Sequence, residues 1–186
     1  MHIGPSIPEY TATAIKQSRL FNPKADIYLV AQTQAYKNLC LTRDLAQFDP
    51  IFVSTESLPL SSDHAKFQKK SKLDNLYRNG FWRYATERFF YLNALISSKD
   101  LKNVFHMEND VMLYCDLEEF IEVFSANYKG IAATFDNEER VIPGFLYIHD
   151  AQSIGSLTRF LAKKSLSGEN DMVTLAAFKF VENGKY

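Results

Sequence analysis

The chain has 186 residues, which predicts a single domain at roughly 150 residues per domain. Its hydrophobic content of 46% is sufficient for a packed core, and its 15 Phe and 10 Tyr are compatible with a ligand-binding cleft. The formal net charge of -1, without a long run of Lys or Arg, argues against a dedicated nucleic-acid-binding protein, which would carry a basic stripe.

The first half of the chain alternates between predicted strands and helices. Residues 1–5 resemble the end of a first strand that runs into a Gly-Pro loop, and continuous apolar runs mark two further buried strands. The predicted order is strand, helix, strand, helix, strand, over residues 1–5, 8–21, 27–30, 36–46 and 51–53. This order is typical of a parallel α/β sheet.

The middle of the chain contains a polar stretch and then the longest predicted helix. Residues 57–76 are a polar stretch with mostly basic charges and no clear period, which predicts a solvated loop or surface helix, the alternative being a mobile lid over a phosphate-bearing ligand. Residues 81–96 have a helical period of apolar positions that would face the sheet: Trp82, Ala85, Phe89, Leu92 and Ile96. Arg83 and Glu87 are expected to pair on the helix surface.

The second half begins with a predicted strand at 103–107 and contains further strands and helices. Predicted helices cover 117–124 and 172–181, and predicted strands cover 130–134 and 143–148. Asp150 is the expected N-cap of another helix.

The residues after the strand at 103–107 are the main functional candidates. Glu108 and Asp110 lie one residue apart, and in an extended chain residues i and i+2 point to the same side. Ligands of open α/β sheets bind outside the carboxyl ends of the strands. Paired carboxylates at that position would suit a divalent cation and the phosphates it carries. A solvated turn is the alternative interpretation.

Several landmarks, taken in order, resemble the nucleotide-sugar-dependent glycosyltransferases of the GT-A fold. They are the early strand-helix-strand order, the aromatic helix with Trp82, Glu87 and Arg88, the triplet Glu108-Asn109-Asp110, the strand entry Pro143-Gly144-Phe145 and the helix start Glu169-Asn170-Asp171. The resemblance implies an α/β protein with one GT-A-like, Rossmann-like domain over residues 1–186, in which helices flank a mixed, mostly parallel sheet. A nucleotide-binding half would cover residues 1–107 and an acceptor-side half residues 108–186.

The resemblance also implies an activity, the transfer of a sugar from a UDP- or GDP-sugar to an acceptor hydroxyl. Asp110 and Glu108 would hold Mn²⁺ or Mg²⁺, whose preferred ligands are oxygens, although the family pattern has Asp where this chain has Glu108. The implied donor-binding residues are Gly4, Arg88, Glu108 and Asp110. His149 is left out of the metal site.

The implied catalytic residues lie late in the chain. In similar inverting enzymes an acid at the start of a late helix is the general base, which corresponds to Asp171, with Glu169 second, and Gly144 would lie on the acceptor side. Each residue has a structural alternative: an ion pair within its own helix for Arg88, a helix N-terminal acid for Asp171, and a plain turn for Gly144. His106 is expected to be a satisfied core residue.

Two other functions compete with the transferase hypothesis. One is a noncatalytic, degenerate transferase that binds a nucleotide or glycan, and the other is a metal-dependent phosphohydrolase on another α/β fold. A dinucleotide-dependent oxidoreductase is not favoured, since no Gly-x-Gly-x-x-Gly follows a strand.

The expected location is the cytoplasm. Cys40 and Cys115 lack metal-ligand spacing and are interpreted as reduced core thiols, and no signal peptide or membrane span of roughly 18 apolar residues is visible. The chain is also compatible with a short form or a fragment of a larger protein.

Overall fold

The computed structural model describes residues 1–74 and 76–183, and this part of the chain has a mixed α/β architecture. Its α-helices are α1 (Tyr10–Phe21), α2 (Thr33–Thr42), α3 (Ser62–Lys70), α4 (Phe81–Lys99), α5 (Ile121–Asn127), α6 (Ala151–Lys164) and α7 (Asp171–Asn183). Its strands are β1 (Tyr28–Ala31), β2 (Ile51–Ser54), β3 (Val104–Met107), β4 (Ile131–Asn137) and β5 (Arg140–Ile148). The predicted order of helices and strands is confirmed from α1 onward, but the strand predicted at residues 1–5 is wrong, since these residues form none.

The described strands form two sheets. β1 and β2 pair in parallel, with Leu29 opposite Phe52. β5 lies between β3 and β4 and is antiparallel to both, with His106 opposite Leu146. The α/β class is confirmed, but the single, mostly parallel sheet is not what these strands form. The reason is local: β4 and β5 are joined through the two residues 138–139, and so short a connection permits only antiparallel pairing.

Each sheet has its own hydrophobic core. The larger core lies between α4, α6, α7 and the antiparallel sheet, and includes Phe89, Ile96, Leu146, Ile148 and Leu157. The smaller core joins α1 and α2 to the parallel sheet, and includes Ile15, Leu29, Ala31, Ala35 and Leu39. These cores fix the ends of the strands around which the candidate site is built.

The long helix α4 follows the predicted pattern at its ends and on its apolar face. It begins after Gly80, whose φ of 88° is easily adopted only by glycine. Phe89, Leu92 and Ile96 are buried as expected. The predicted surface pair is wrong, because Glu87 is buried and contacts α3 instead of Arg83. The Arg83 guanidinium donates to the Gln68 carbonyl (3.0 Å).

Three further predictions about local structure have mixed outcomes. The polar stretch 57–76 contains α3, a helix that also contributes buried His64 and Phe67 to the protein interior; residue 75 lies outside the described part. Asp150 caps α6 as predicted, since its carboxylate accepts from the Ser153 N–H (2.8 Å). Cys40 and Cys115 are free thiols, but Cys40 is exposed and Cys115 half-buried, so the core assignment is wrong. No helix in the described ranges is both long and apolar enough to cross a membrane.

Candidate functional site

The triplet Glu108-Asn109-Asp110 lies directly beyond β3 in a turn. The Val111 N–H donates to the Glu108 carbonyl (3.2 Å), so the chain folds back and is not extended across the triplet. The prediction that the i and i+2 side chains share one side through strand geometry is therefore wrong. Glu108 is half-buried, whereas Asp110 is exposed to solvent.

Arg88 joins two of the predicted site residues from distant parts of the chain. Its Nη1 donates to Glu108 Oε1, and its Nη2 donates to Asp171 Oδ2 (3.0 Å). The guanidinium also lies 5.0 Å from the centroid of the Phe89 ring. Both ion-pair partners lie outside α4, so the alternative of an ion pair within the same helix is wrong. We call Arg88, Glu108 and Asp171 the Arg88 cluster.

The Arg88 cluster is positioned by a helix start and a strand end. Asp171 is the first residue of α7, and its side chain is only 2% exposed. Asn170 caps this helix by accepting from the Val173 N–H (3.2 Å), which holds Asp171 at the helix start. On the strand side, the Glu108 N–H donates to the Gly144 carbonyl (2.9 Å), which continues the pairing of β3 with β5.

The pKa of Asp171 is raised in this cluster of two carboxylates and one guanidinium. Burial raises the pKa of Asp171; the charge of Arg88 opposes this increase, and the nearby Glu108 adds to it. Asp171 is thereby shifted toward holding a proton at a higher pH than an exposed Asp would.

Two further titratable groups lie close to the cluster. The Met1 amine lies 3.4 Å from the Met107 carbonyl. Burial and the charge of Arg88 lower its pKa to about 6, with Glu108 acting in the opposite direction. Burial, with Arg88 and the Met1 amine, also lowers the pKa of His106 well below its ordinary value. His106 is in the core as expected, but its Nε2 has no hydrogen-bond partner within the described residues, so it is not satisfied.

The start of α1 adds residues that the sequence reasoning missed. Asn109 Nδ2 donates to Thr11 Oγ1 (3.1 Å) and contacts His2 Nδ1 (3.3 Å). Burial raises the pKa of Tyr10, and the charges of Asp110 and Glu108 raise it further. The available signal was that α1 follows a predicted strand end, where ligand-binding residues concentrate.

The other predicted residues differ in their distance from the cluster. Gly144 lies in β5 beside it, where an added Cβ would be 3.5 Å from Glu108 Oε2. Gly4 precedes α1 with a φ of 153°, and a Cβ there would lie 3.1 Å from His2 Nε2. Glu169 does not join the Arg88 cluster; its Oε2 lies 3.8 Å from Lys164 Nζ.

A second carboxylate lies at the ends of β1 and β2. Glu56 accepts from the Thr33 N–H (3.1 Å) and from the Ser54 hydroxyl, and these bonds connect the end of β2 to the start of α2. The Ser54 hydrogen bond and the surrounding N–H groups lower the pKa of Glu56 to about 2. Both Glu56 oxygens therefore accept hydrogen bonds that hold the end of β2 against the start of α2.

A divalent cation is compatible with the triplet only if the ligand provides part of its coordination. Within residues 1–74 and 76–183, no three His, Cys, Asp or Glu side chains converge closely enough to hold a metal. Glu108 and Asp110 nevertheless offer oxygen donors, and Mg²⁺ is commonly bound by one or two carboxylates together with substrate phosphates and water. The donor set fits that arrangement and does not fit zinc, which prefers His and Cys.

No protein-family model matches the chain, and no curated protein is significantly similar to it. The functional argument therefore depends on the geometry and chemistry of the site.

Proposed function

We propose that the protein is a metal-assisted glycosyltransferase that transfers a sugar from a UDP- or GDP-sugar to an acceptor hydroxyl. The supporting observation is that Arg88 hydrogen-bonds both Glu108 at the end of β3 and Asp171 at the start of α7. Three residues that the sequence pattern singled out separately thus form one cluster at a strand end, the position where α/β proteins bind ligands.

The exposed carboxylate of Asp110 would be the principal ligand for Mn²⁺ or Mg²⁺. The second ligand would be Glu108 Oε2, the oxygen that does not bond to Arg88. When bound, the cation supplies positive charge for the diphosphate leaving group. Asp110 makes no hydrogen bond within the described part of the chain, so its oxygens are available. Glu108 Oε1 accepts a hydrogen bond from Arg88, and Oε2 lies beside Gly144.

Arg88 is a positioning residue in this proposal. Two of its nitrogens are engaged by Glu108 and Asp171, so its charge orients the two carboxylates. Its Nε–H is buried and has no partner within the described residues, so the two Nη atoms make all of its side-chain hydrogen bonds there. Removing Arg88 would release both carboxylates from their shared orientation.

Asp171 is the general base for the acceptor hydroxyl. Burial raises its pKa, which makes the carboxylate a better proton acceptor than an ordinary exposed Asp. The start of α7 holds it against Arg88, so its position relative to Glu108 is defined by two hydrogen bonds. Glu169, which is paired with Lys164, is not required in this role.

The test is the release of nucleoside diphosphate from a panel of UDP- and GDP-sugars, with Mn²⁺, with Mg²⁺ and with EDTA. We expect metal-dependent release that Asp110→Asn abolishes. Asp136→Asn is the matched control, because Asp136 is an exposed acid of the β4–β5 hairpin whose ion-pair partner is Arg140 and not a member of the Arg88 cluster. Activity that is unchanged in Asp110→Asn, or insensitive to EDTA, contradicts the metal site.

An acceptor panel tests the general base separately. We expect Asp171→Asn to reduce kcat for transfer by about 10²- to 10⁴-fold while the affinity for the nucleotide is retained. Release of inorganic phosphate from simple phosphomonoesters, without sugar transfer, would instead indicate a phosphohydrolase.

A noncatalytic nucleotide-binding protein is the second candidate. It is favoured by the engagement of Arg88, Glu108 and Asp171 with one another, which is also how a structural ion-pair network is built. Calorimetry with UDP and GDP, combined with the donor panel, separates the two: saturable binding without any turnover supports this candidate, and multiple turnovers exclude it.

A further inference from the structure

The stretch from the second half of α3 to the start of α4 concentrates positive charge. Residues 66–83 contain six of the chain's 21 basic residues and one of its 22 acidic residues, so the remaining chain is acidic overall. Lys69, Lys70, Lys72 and Arg78 are exposed, and none of them forms an ion pair within the described residues. The positive charge of this stretch is therefore available to an anionic partner.

Large apolar side chains are exposed in the same stretch. Leu76 is 89% exposed, and Tyr77 and Phe81 are 45% and 43% exposed. The two rings pack with that of Trp82, whose centroid lies 5.0 Å from Phe81 and 6.1 Å from Tyr77. The Arg78 guanidinium lies 5.5 Å from the centroid of the Tyr77 ring. Exposed apolar groups and cations thus lie together, which is typical of an interaction surface.

The loop before α4 has a defined conformation that leaves these side chains outside. The Asp74 carboxylate accepts hydrogen bonds from the N–H groups of Leu76 (2.7 Å) and Tyr77 (3.2 Å). Arg78 and Asn79 have φ values of 45° and 55°, in the left-handed region that L-residues adopt at a cost. The exposure of Leu76 and Tyr77 therefore follows from the way this loop is built.

Two hydrogen bonds place this loop at the ends of α3 and α6. The Arg83 guanidinium, at the start of α4, donates to the Gln68 carbonyl near the end of α3 (3.0 Å). The Lys72 N–H donates to the Ser165 carbonyl directly after α6 (3.0 Å). Lys163, which is exposed in the last turn of α6, adds a cation two residues before that contact. We call the exposed side chains here the basic-aromatic surface; its members are Lys69, Lys70, Lys72, Leu76, Tyr77 and Phe81.

We propose that the basic-aromatic surface docks the protein onto an anionic lipid bilayer. Aromatic rings are favoured at the level of the lipid headgroups, where they contact apolar and polar surroundings together. An exposed aliphatic side chain such as Leu76 can enter the boundary of the acyl chains. Each Lys or Arg close to anionic lipids tightens binding by about five-fold. The proposal goes beyond the proposed function, since it uses neither Asp110 nor the Arg88 cluster.

A single-stranded nucleic acid is the competing partner, because it also binds aromatic rings and cations. Leu76 favours the bilayer, since the most exposed side chain of the surface offers no ring face on which a base can stack. The Phe81 ring lies at 72° to Trp82 and at 75° to Tyr77, so these rings pack edge to face against one another. A bilayer accommodates such a packed cluster, whereas successive bases require open ring faces.

The first test is cosedimentation of the protein with sucrose-loaded vesicles. Vesicles of phosphatidylcholine with roughly one third phosphatidylserine are compared with vesicles of phosphatidylcholine alone. We expect the anionic vesicles to bind about ten-fold more tightly or better, and NaCl at about 0.5 M to weaken this binding, because salt screens exposed charges. Equal binding to the two kinds of vesicle, or no binding to the anionic ones, overturns the proposal.

Charge reversal tests which part of the protein docks. Lys69→Glu combined with Lys70→Glu should weaken binding to anionic vesicles by about ten-fold or more. Lys24→Glu combined with Lys37→Glu is the matched control, because both residues are exposed and the change in net charge is the same. The melting temperatures confirm that both variants are folded. An equal loss of binding in the two variants means that net charge alone attracts the vesicles, and overturns the assigned surface.

A substitution of Leu76 tests the apolar contribution. Leu76→Ser should weaken binding to anionic vesicles by about five-fold or more, because less apolar surface is buried in the bilayer. Leu41→Ser is the matched control: Leu41 is 85% exposed but lies in α2, outside the basic-aromatic surface. Unchanged affinity in Leu76→Ser, or an equal loss in Leu41→Ser, overturns the proposal.

Trp82 reports on this surface without a label, since it is the only tryptophan of the chain. Its fluorescence should be quenched when the protein binds anionic vesicles that contain brominated lipid. Binding to vesicles without quenching overturns the assigned surface. Binding of oligothymidylate without any binding to vesicles overturns docking to a bilayer, and assigns the surface to a single-stranded nucleic acid.

Discussion

Two neighbouring residues of α4, Glu87 and Arg88, each belong to a buried group of charged side chains. The two groups differ in how much of their side chains is exposed to solvent. Glu87 points toward α3, where it contacts His64 Nε2 (2.9 Å) and accepts from Gln68 Nε2 (2.8 Å). The His64 and Glu87 side chains are 2% and 7% exposed. Arg88 points toward the strand ends, where the Glu108 side chain is still 33% exposed.

The charge balance also differs between these groups. Burial would raise the pKa of Glu87, but hydrogen bonds from His64 and Gln68 and the charges of His64 and Arg83 outweigh burial and lower it. In the Arg88 cluster two carboxylates share one guanidinium, and burial raises the pKa of Asp171 against the opposing charge of Arg88, with a smaller contribution from Glu108. A closed ion pair is typical of a scaffold, whereas a cluster with one partly exposed carboxylate, here Glu108, is where a ligand or a proton can be accommodated.

The largest effect is expected from Arg88→Met. It leaves two carboxylates close together without their cation, and breaking a buried ion pair typically costs about 3–5 kcal/mol. Urea unfolding at pH 7 measures the free energy of unfolding. Arg83→Met, on the same helix, removes one hydrogen bond to a carbonyl and should cost only about 1 kcal/mol. Equal losses for the two variants would contradict a central role for Arg88.

The His64–Glu87 pair should contribute to stability and not to nucleotide binding. Glu87→Leu leaves His64 and Gln68 without their acceptor and should cost about 3 kcal/mol. The double variant His64→Leu with Glu87→Leu should recover part of that loss, because buried pairs can be replaced by apolar residues. A double-mutant cycle by urea unfolding measures this, and nucleotide binding by the folded fraction should remain unchanged. Loss of nucleotide binding would instead connect Glu87 to the site.

Local sequence signals predicted the helices well but not their partners. The burial of Phe89 and Ile96 follows from helical spacing, and the Asp150 cap from side-chain chemistry at a helix start. Glu87 was assigned to Arg83, four residues away, because local spacing contains no information about His64 in another helix. Long-range packing decided the competition between these two partners.

In the candidate site, too, local sequence signals predicted single residues but not the contacts between them. Glu108 could be singled out because it follows a strand end, where ligands of α/β sheets bind, and Asp171 because it lies at a helix start. Arg88 lies in the middle of α4 and was a candidate only through the resemblance to a family. The direct contact of these three residues could not be predicted, since it depends on α7 docking near β3. The turn at Glu108–Val111 also could not be predicted from the apolar run before it, because the run gives the strand and not the angle at which the chain leaves it.

The pH dependence of stability should distinguish Asp171 from a simple ion-pair partner. Its folded-state pKa is raised above the ordinary 3.8, so the folded protein holds the proton more tightly than the unfolded chain does. The resulting contribution to stability is complete below pH 3.8 and is lost as the pH rises through the folded-state value. The unfolding free energy of Asp171→Asn relative to the wild type should therefore increase with pH.

Urea unfolding between pH 4 and 8 measures this difference. Asn170→Ala is the control, because it weakens the same helix start by removing its bond to the Val173 N–H without removing a titrating group. Its difference from the wild type should be constant over this range. A difference for Asp171→Asn that decreases with pH would mean that Arg88 dominates and holds the pKa of Asp171 down.

The smallest effect on stability is expected from Asp110→Asn, and this makes it the sharpest test of the triplet. Asp110 is exposed and makes no hydrogen bond within the described residues, so its substitution should change the unfolding free energy by less than about 0.5 kcal/mol. Glu108→Gln loses a charged partner of Arg88 and should cost about 1.5–3 kcal/mol. If Asp110 binds the cation, Asp110→Asn should abolish Mn²⁺-dependent nucleotide binding at unchanged stability, as measured by calorimetry with UDP and Mn²⁺. Retained Mn²⁺ dependence in this variant would mean that Asp110 is only a residue of the solvated turn.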